Sequence, residues 1–188
     1  MMLILYTFSY TLSYACYSDK MHLPSMKTSY KILLGVYLTT LLWLVLFKFS
    51  YDIISVLIYH QVRSLNLIPF AGYSHLTSRE MIENFAVFVP FGLLLGMNAK
   101  RTSFWRKLGI ISALSLFVEL VQYILAIGIT DITDLITNTL GGFVGLIVYH
   151  FGSKYIDNRT LDRCIGAIIA IILIAILFLR VFVVKVRY

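Results

Sequence analysis

Apolar residues in this chain come in blocks of about 20, the length at which an α-helix crosses the ~30 Å hydrocarbon core of a bilayer. Five blocks are evident, at residues 32–49, 81–98, 108–129, 135–151 and 165–184. Of the 188 residues, 60% are apolar and only 13% are charged, unlike a soluble domain. The sequence therefore predicts an all-α integral membrane protein, a multi-pass bundle of about five transmembrane helices in a cell membrane.

The N-terminal segment is ambiguous. Residues 1–29 are predicted to be an extension ahead of a membrane domain that covers residues 30–188. Residues 1–17 are apolar but rich in Tyr, Ser and Thr, so a sixth span there is left open, and they lack the basic lead of a signal peptide. Met26, close to Lys27 and Lys31, is an alternative start, and the sequence does not decide between it and Met1.

The net charge of +7 lies mostly in the connections between the blocks. In a soluble protein it would suggest nucleic acid, but here it indicates topology signals and contact with anionic lipid head groups. The lipid bilayer, and not nucleic acid, is therefore the expected partner.

Lys and Arg also predict the orientation, because they favour the cytoplasmic side. The connection between the second and third blocks has four, and the connection between the third and fourth has none. Of all 16, ten share one side (residues 20, 27, 31, 100, 101, 106, 107, 154, 159 and 163) and six share the other (residues 48, 63, 79, 180, 185 and 187). The first span is therefore predicted to begin inside and the C-terminus to lie outside.

Acids and amides are expensive in hydrocarbon, so each one in a membrane helix needs a reason. With the predicted orientation, nearly all those of the three central blocks lie in or just above the outer leaflet. We predict that they form a small polar pocket open to the outside, a ligand-binding or functional cluster made of Asn84, Glu119, Gln122, Asp131, Asp134 and Asn138 with Arg63 in a neighbouring loop.

Spacing supports the cluster but leaves structural explanations open. Glu119 and Gln122 are three residues apart and share a helix face, where they could simply bond one helix to another. Asp131, Asp134 and Asn138 form a second stripe if a helix begins near Asp131. Asp131 or Thr133 could be its cap, with acids at the positive end of the helix dipole.

Two glycine pairs and one proline predict how the helices pack. Gly92 with Gly96 and Gly141 with Gly145 are GxxxG pairs, which let membrane helices approach closely. Pro90 frees a backbone carbonyl and can kink its helix. His and Cys residues show no ligand spacing, so neither a metal nor a cofactor is predicted.

Several motifs resemble the VanZ-like family of membrane proteins, from about residue 30 to near the C-terminus. They are residues 41–48 (LLWLVLFK), 59–70 (YHQVRSLNLIPF), 79–84 (REMIEN), 90–95 (PFGLLL), 119–122 (ELVQ) and 126–142 (AIGITDITDLITNTLGG). The resemblance implies a protein of the bacterial plasma membrane that gives low-level resistance to the lipoglycopeptide teicoplanin, with less drug held at the cell surface. It implies no settled chemistry. Much of the family has an Arg just before the first Asp of the last motif. Gly128, Ile129 and Thr130 stand there in this chain. If the family's Arg has a role, this protein must do without it or use another cation such as Arg63.

Two functions fit these features, and we favour the first. A non-enzymatic protein would use the pocket to bind teicoplanin or a lipid-linked cell-wall precursor. An intramembrane enzyme would modify such a precursor, with Glu119 as general base and Asp131 or Asp134 as its partner or as a ligand of Mg²⁺. No nucleophile elbow, HExxH or phosphate loop supports the enzyme, and the absence of an inverted repeat gives a transporter little support.

Overall fold

A computed structural model describes residues 26–47, 64–70, 75–126 and 129–187. The N-terminal 25 residues, including the possible sixth span, and Arg63 lie outside the described residues. The elements, in chain order, are α1 Met26–Leu46, β1 Ser64–Asn66, α2 His75–Asn98, α3 Phe104–Leu125, β2 Ile129–Asp131, α4 Ile132–Tyr155 and α5 Asn158–Arg187. All five helices are long and apolar enough to cross a membrane, which confirms the predicted fold class.

Two helices, α3 and α5, begin earlier than their apolar blocks because polar residues cap them. α3 begins at Phe104 and not at 108, since the Ser103 hydroxyl accepts a hydrogen bond from the Arg106 N–H (3.4 Å). α5 begins at Asn158 and not at 165, since the Asp157 carboxylate accepts bonds from the first N–H groups of that helix (3.0 and 3.3 Å). Such caps satisfy orphan backbone donors and add polar turns that hydropathy does not reveal.

α3 ends at Leu125, four residues before the end of its apolar block. Ala126 adopts a left-handed conformation (φ 54°), and its N–H bonds back to the carbonyls of Gln122 and Tyr123, the usual way for a helix to stop. β2 follows and pairs in parallel with β1, Asn66 lying opposite Asp131. These two short strands were not predicted from the sequence.

α2 and α4 form the largest helix–helix interface among the described residues, and glycines lie within it. A Cβ added at Gly141 would lie 2.2 Å from the Phe85 carbonyl oxygen, and one at Gly145 would lie 2.1 Å from that of Val89. Backbone therefore touches backbone, as small residues permit in membranes.

The other predicted packing residues lie along the same two helices. A Cβ on Gly92 would meet the Gly142 carbonyl oxygen at 2.2 Å, and one on Gly96 would meet the Tyr149 ring at 2.8 Å. Pro90 lies inside α2, which continues through it.

Hydrogen bonds between the helices define two ends of the bundle. At the Asp131 end, α1 and α3 finish while α2 and α4 begin. At the Lys100 end, the Lys100 ammonium contacts the Asp162 carboxylate (2.6 Å), which also accepts a bond from the Tyr149 hydroxyl (2.9 Å). The Asn98 amide donates to the Tyr30 carbonyl (3.3 Å). Four helices, α1, α2, α4 and α5, therefore meet there.

Lys100 lies in the connection outside the spans, and its ionisation is set by this contact. Burial alone would lower the pKa of Lys100, but hydrogen bonding and attraction to Asp162 and Tyr149 outweigh burial, so its pKa is raised. The ion pair therefore persists through the physiological pH range.

A candidate polar site at the Asp131 end

One stripe of α3 carries buried polar side chains toward the other elements. Ser115, Glu119 and Gln122 are spaced by four and three residues, so they share one helix face. Their exposed fractions are 0%, 3% and 1%. This stripe organises the site, because its residues contact α4, β2 and α1 respectively.

Glu119 holds the start of β2–α4 against α3. Its Oε2 accepts a hydrogen bond from the backbone N–H of Asp131 (3.1 Å), and its backbone carbonyl accepts one from the Thr130 hydroxyl (3.3 Å). A bond between a carboxylate and a backbone N–H is charge-assisted and stronger than a neutral one.

Asp131 is the N-cap of α4, and both of its carboxylate oxygens accept hydrogen bonds. Oδ1 accepts from the Thr133 N–H (2.8 Å) and Oδ2 from the Asn66 side-chain amide (3.0 Å). Thr133 lies in the first turn, where its hydroxyl accepts a bond from the Phe70 N–H (3.1 Å). Asp131 therefore joins β1 to α4. These contacts are those of a residue that positions the two elements relative to each other.

Gln122 and Asn138 bond helices to one another. The Gln122 amide donates to the carbonyls of Val45 (3.0 Å) and Leu46 (3.4 Å) at the end of α1. The Asn138 amide, which is fully buried on α4, donates to the Ser115 hydroxyl on α3 (2.9 Å).

Both amides retain an unused acceptor. Gln122 Oε1 and Asn138 Oδ1 are buried and have no hydrogen-bond partner in the described part of the chain. A buried acceptor without a donor is unfavourable, by about 1–3 kcal/mol. The arrangement can therefore accept hydrogen bonds from a group that carries N–H or O–H donors.

Asp134 and Asn84 lie at the same end, and both are buried (6% exposed). Asp134 is in the first turn of α4, where its carbonyl accepts a bond from the Thr137 hydroxyl (3.2 Å). Asn84 on α2 precedes Phe85, whose carbonyl lies against Gly141, so Asn84 is level with the third turn of α4. The hydrogen bonds described above do not include the Asn84 side chain.

The structure thus links four of the predicted residues through direct bonds or the α3 stripe: Glu119, Gln122, Asp131 and Asn138. Asn66 and Ser115 were missed from the sequence, and Thr133 was named only as a possible helix cap. A signal existed for Ser115, which precedes Glu119 by one helical turn. None existed for Asn66, because its partner is 65 residues away.

Within residues 26–47, 64–70, 75–126 and 129–187, no group of three or more His, Cys, Asp or Glu side chains is placed to hold a metal ion. The chemistry that these residues do offer is hydrogen bonding through carboxylate, amide and hydroxyl groups.

Comparison with known proteins identifies relatives of the chain. The model of the VanZ/LLP1 family matches residues 34–153. Protein VanZ of Enterococcus faecium is 50% identical over 148 residues, which are 79% of this chain and 90% of that protein. No solved structure matches the chain. The resemblance predicted from the sequence motifs is confirmed.

Proposed function

The chain belongs to the VanZ/LLP1 family, and on that basis we propose that it confers resistance to glycopeptides, teicoplanin in particular. In this proposal it lowers the amount of drug bound at the outer cell surface. The polar cluster at the Asp131 end, defined by Glu119, Gln122, Asp131 and Asn138, is the part of the molecule that does so. The Lys/Arg distribution favours the outer leaflet for this end.

The observation that carries the proposal is the pair of buried, unused acceptors on Gln122 and Asn138. Polar groups inside membrane helices are costly, so each needs a partner or a function. Most of the polar contacts here are architectural, but these two oxygens are not explained by architecture. A ligand that offers hydrogen-bond donors would satisfy them.

Two molecules are candidate ligands of the polar cluster because both reach the outer membrane surface. Teicoplanin, a glycopeptide, carries amide N–H and hydroxyl donors and an acyl chain that partitions into the membrane. A lipid-linked cell-wall precursor carries its head group at the same surface. Binding either one would reduce productive contact between drug and precursor.

Single substitutions test the assignment. Gln122→Leu and Asn138→Leu remove the unused acceptors, and Glu119→Gln replaces the buried carboxyl group by an amide that keeps an acceptor oxygen. Teicoplanin susceptibility is measured at equal membrane abundance, with Glu83→Gln as the matched control, since Glu83 pairs with exposed Arg79 at the start of α2 (2.6 Å). We expect loss of resistance for the first three and none for the control. Full resistance in all four variants would remove the cluster from the proposal.

Analysis of cell-wall precursors separates binding from catalysis. A binding protein leaves the lipid-linked precursors chemically unchanged, so mass spectra of cells with and without the protein should agree. A new precursor mass that requires Glu119 would indicate an intramembrane enzyme and would overturn the non-enzymatic proposal.

A further inference from the structure

β1 and the turn that follows it, residues 65–70, expose large apolar side chains on the protein surface. The exposed fractions are 54% for Leu65, 65% for Leu67, 69% for Ile68 and 41% for Phe70. Scattered apolar residues are ordinary on a surface, but a contiguous group indicates contact with another apolar phase.

Hydrogen bonds hold this turn in one shape. The Asn66 side-chain oxygen accepts a bond from the Ile68 N–H (3.2 Å). Phe70 adopts a left-handed conformation (φ 60°), which is unfavourable for a residue with a Cβ. Its N–H bonds to Thr133 on α4. The exposed side chains are therefore displayed by a fixed backbone.

The strand pairing and the bond to Thr133 place the turn level with the start of α4. β1 pairs with β2, and β2 leads directly into α4, whose membrane-spanning stretch begins at Ile132. At this end of the bundle, α3 also exposes Ile124 (65%) and Leu125 (57%). The turn is thus level with the start of a helix that is apolar enough to span a membrane, at the end of the bundle where α3 also exposes apolar side chains.

We propose that residues 65–70 insert their apolar side chains into the bilayer, with Leu67 and Ile68 among the acyl chains of the leaflet at the Asp131 end. The occupant of this surface is the bilayer itself, because β2 leads directly into a helix long and apolar enough to span a membrane, and α3 ends at the same end of the bundle with exposed apolar side chains. The insertion anchors β1, and through Asn66 it holds Asp131 at head-group level. A ligand would then approach the polar cluster along the membrane surface. Insertion of residues 65–70 into the bilayer does not depend on a role of the polar cluster in resistance, so the two are tested independently.

Fluorescence depth measurement tests the insertion. The chain has two tryptophans, Trp43 and Trp105, which are both replaced by Phe. Leu67→Trp and Ile68→Trp are then made separately in the full chain and reconstituted in phosphatidylcholine vesicles with or without brominated acyl chains. Ile124→Trp serves as a lipid-facing control, and Arg101→Trp, in an exposed connection at the Lys100 end, serves as an aqueous control.

We expect brominated lipid to quench Leu67→Trp and Ile68→Trp about as strongly as Ile124→Trp, with blue-shifted emission and little quenching by aqueous iodide. Emission and iodide quenching like those of Arg101→Trp would overturn the proposal. Protection from both quenchers would also overturn it, because the turn would then be covered by protein.

Discussion

The Glu119 carboxylate accepts a hydrogen bond from the backbone N–H of Asp131 at 3.1 Å. This bond fixes the point where β2 passes into α4, and Asp131 in turn caps α4 and holds Asn66. One buried acid thus positions a strand pair, a helix start and an interfacial turn. We infer that the geometry of the polar cluster depends on this contact.

The contact predicts different effects for two substitutions of Glu119. Glu119→Leu leaves the partly buried N–H of Asp131 without this acceptor, so we expect a loss of about 1 kcal/mol in the free energy of unfolding. Glu119→Gln retains an acceptor oxygen and should lose less. Thermal unfolding in detergent measures both, and equal melting temperatures for the two variants would show that the bond contributes nothing.

The contact between α2 and α4 predicts that alanine is not tolerated at its glycines. Gly141→Ala and Gly145→Ala place a Cβ about 2 Å from backbone oxygens of α2, and backbone cannot move aside as a side chain can. We expect a destabilisation of about 1–3 kcal/mol or more and reduced membrane abundance.

A glycine in open space provides the control for this interface. A Cβ at Gly109 on α3 would meet nothing within 4 Å, so Gly109→Ala should gain about 0.5–1 kcal/mol of stability through helix propensity. If all three alanine variants unfold at the wild-type temperature, α2 and α4 are not in the close contact described here.

The ion pair at the Lys100 end predicts a small coupling and a defined pH dependence. The Lys100 side chain is 42% exposed, so a double-mutant cycle of Lys100→Met and Asp162→Asn should give a coupling free energy of about 1 kcal/mol or less. Because the pKa of Lys100 is raised above its ordinary 10.5, its stabilisation is fully present below pH 10.5 and is lost as pH rises through the higher folded-state pKa. A coupling that weakens on acidification toward neutral pH would contradict this assignment.

The charge distribution predicts which end faces the exterior. In a background with Cys16→Ser and Cys164→Ser, we expect Glu80→Cys, at the start of α2, to react with a membrane-impermeant maleimide on intact cells. Arg101→Cys, at the opposite end, should react only after permeabilisation. Both native residues are exposed, so accessibility is matched, and the reverse labelling pattern would place the polar cluster in the cytoplasm.

Hydropathy and small-residue spacing predicted the five helices because the bilayer imposes both helix length and close packing. Local chemistry also showed Asp131 as a potential cap. Helix starts were predicted four to seven residues late at α3 and α5, since Ser103 and Asp157 add polar turns beyond the apolar blocks.

Contacts between distant residues could not be predicted from one sequence. Asn66 and Asp131 lie 65 residues apart, and Lys100 and Asp162 lie 62 apart. Neither pair has a local pattern that selects its partner. The pairing depends on tertiary packing. Tertiary packing also decides which acceptors in the polar cluster are left unused.

The central claim is that the polar cluster at the Asp131 end reduces drug binding, and labelled teicoplanin bound to intact cells measures this directly. Cells carrying the wild-type protein should bind less drug than cells with an empty vector. Cells carrying Asn138→Leu at the same membrane abundance should bind as much as the vector control. If the Asn138→Leu cells bind as little drug as the wild type, the unused acceptor on Asn138 has no part in resistance and the claim is contradicted.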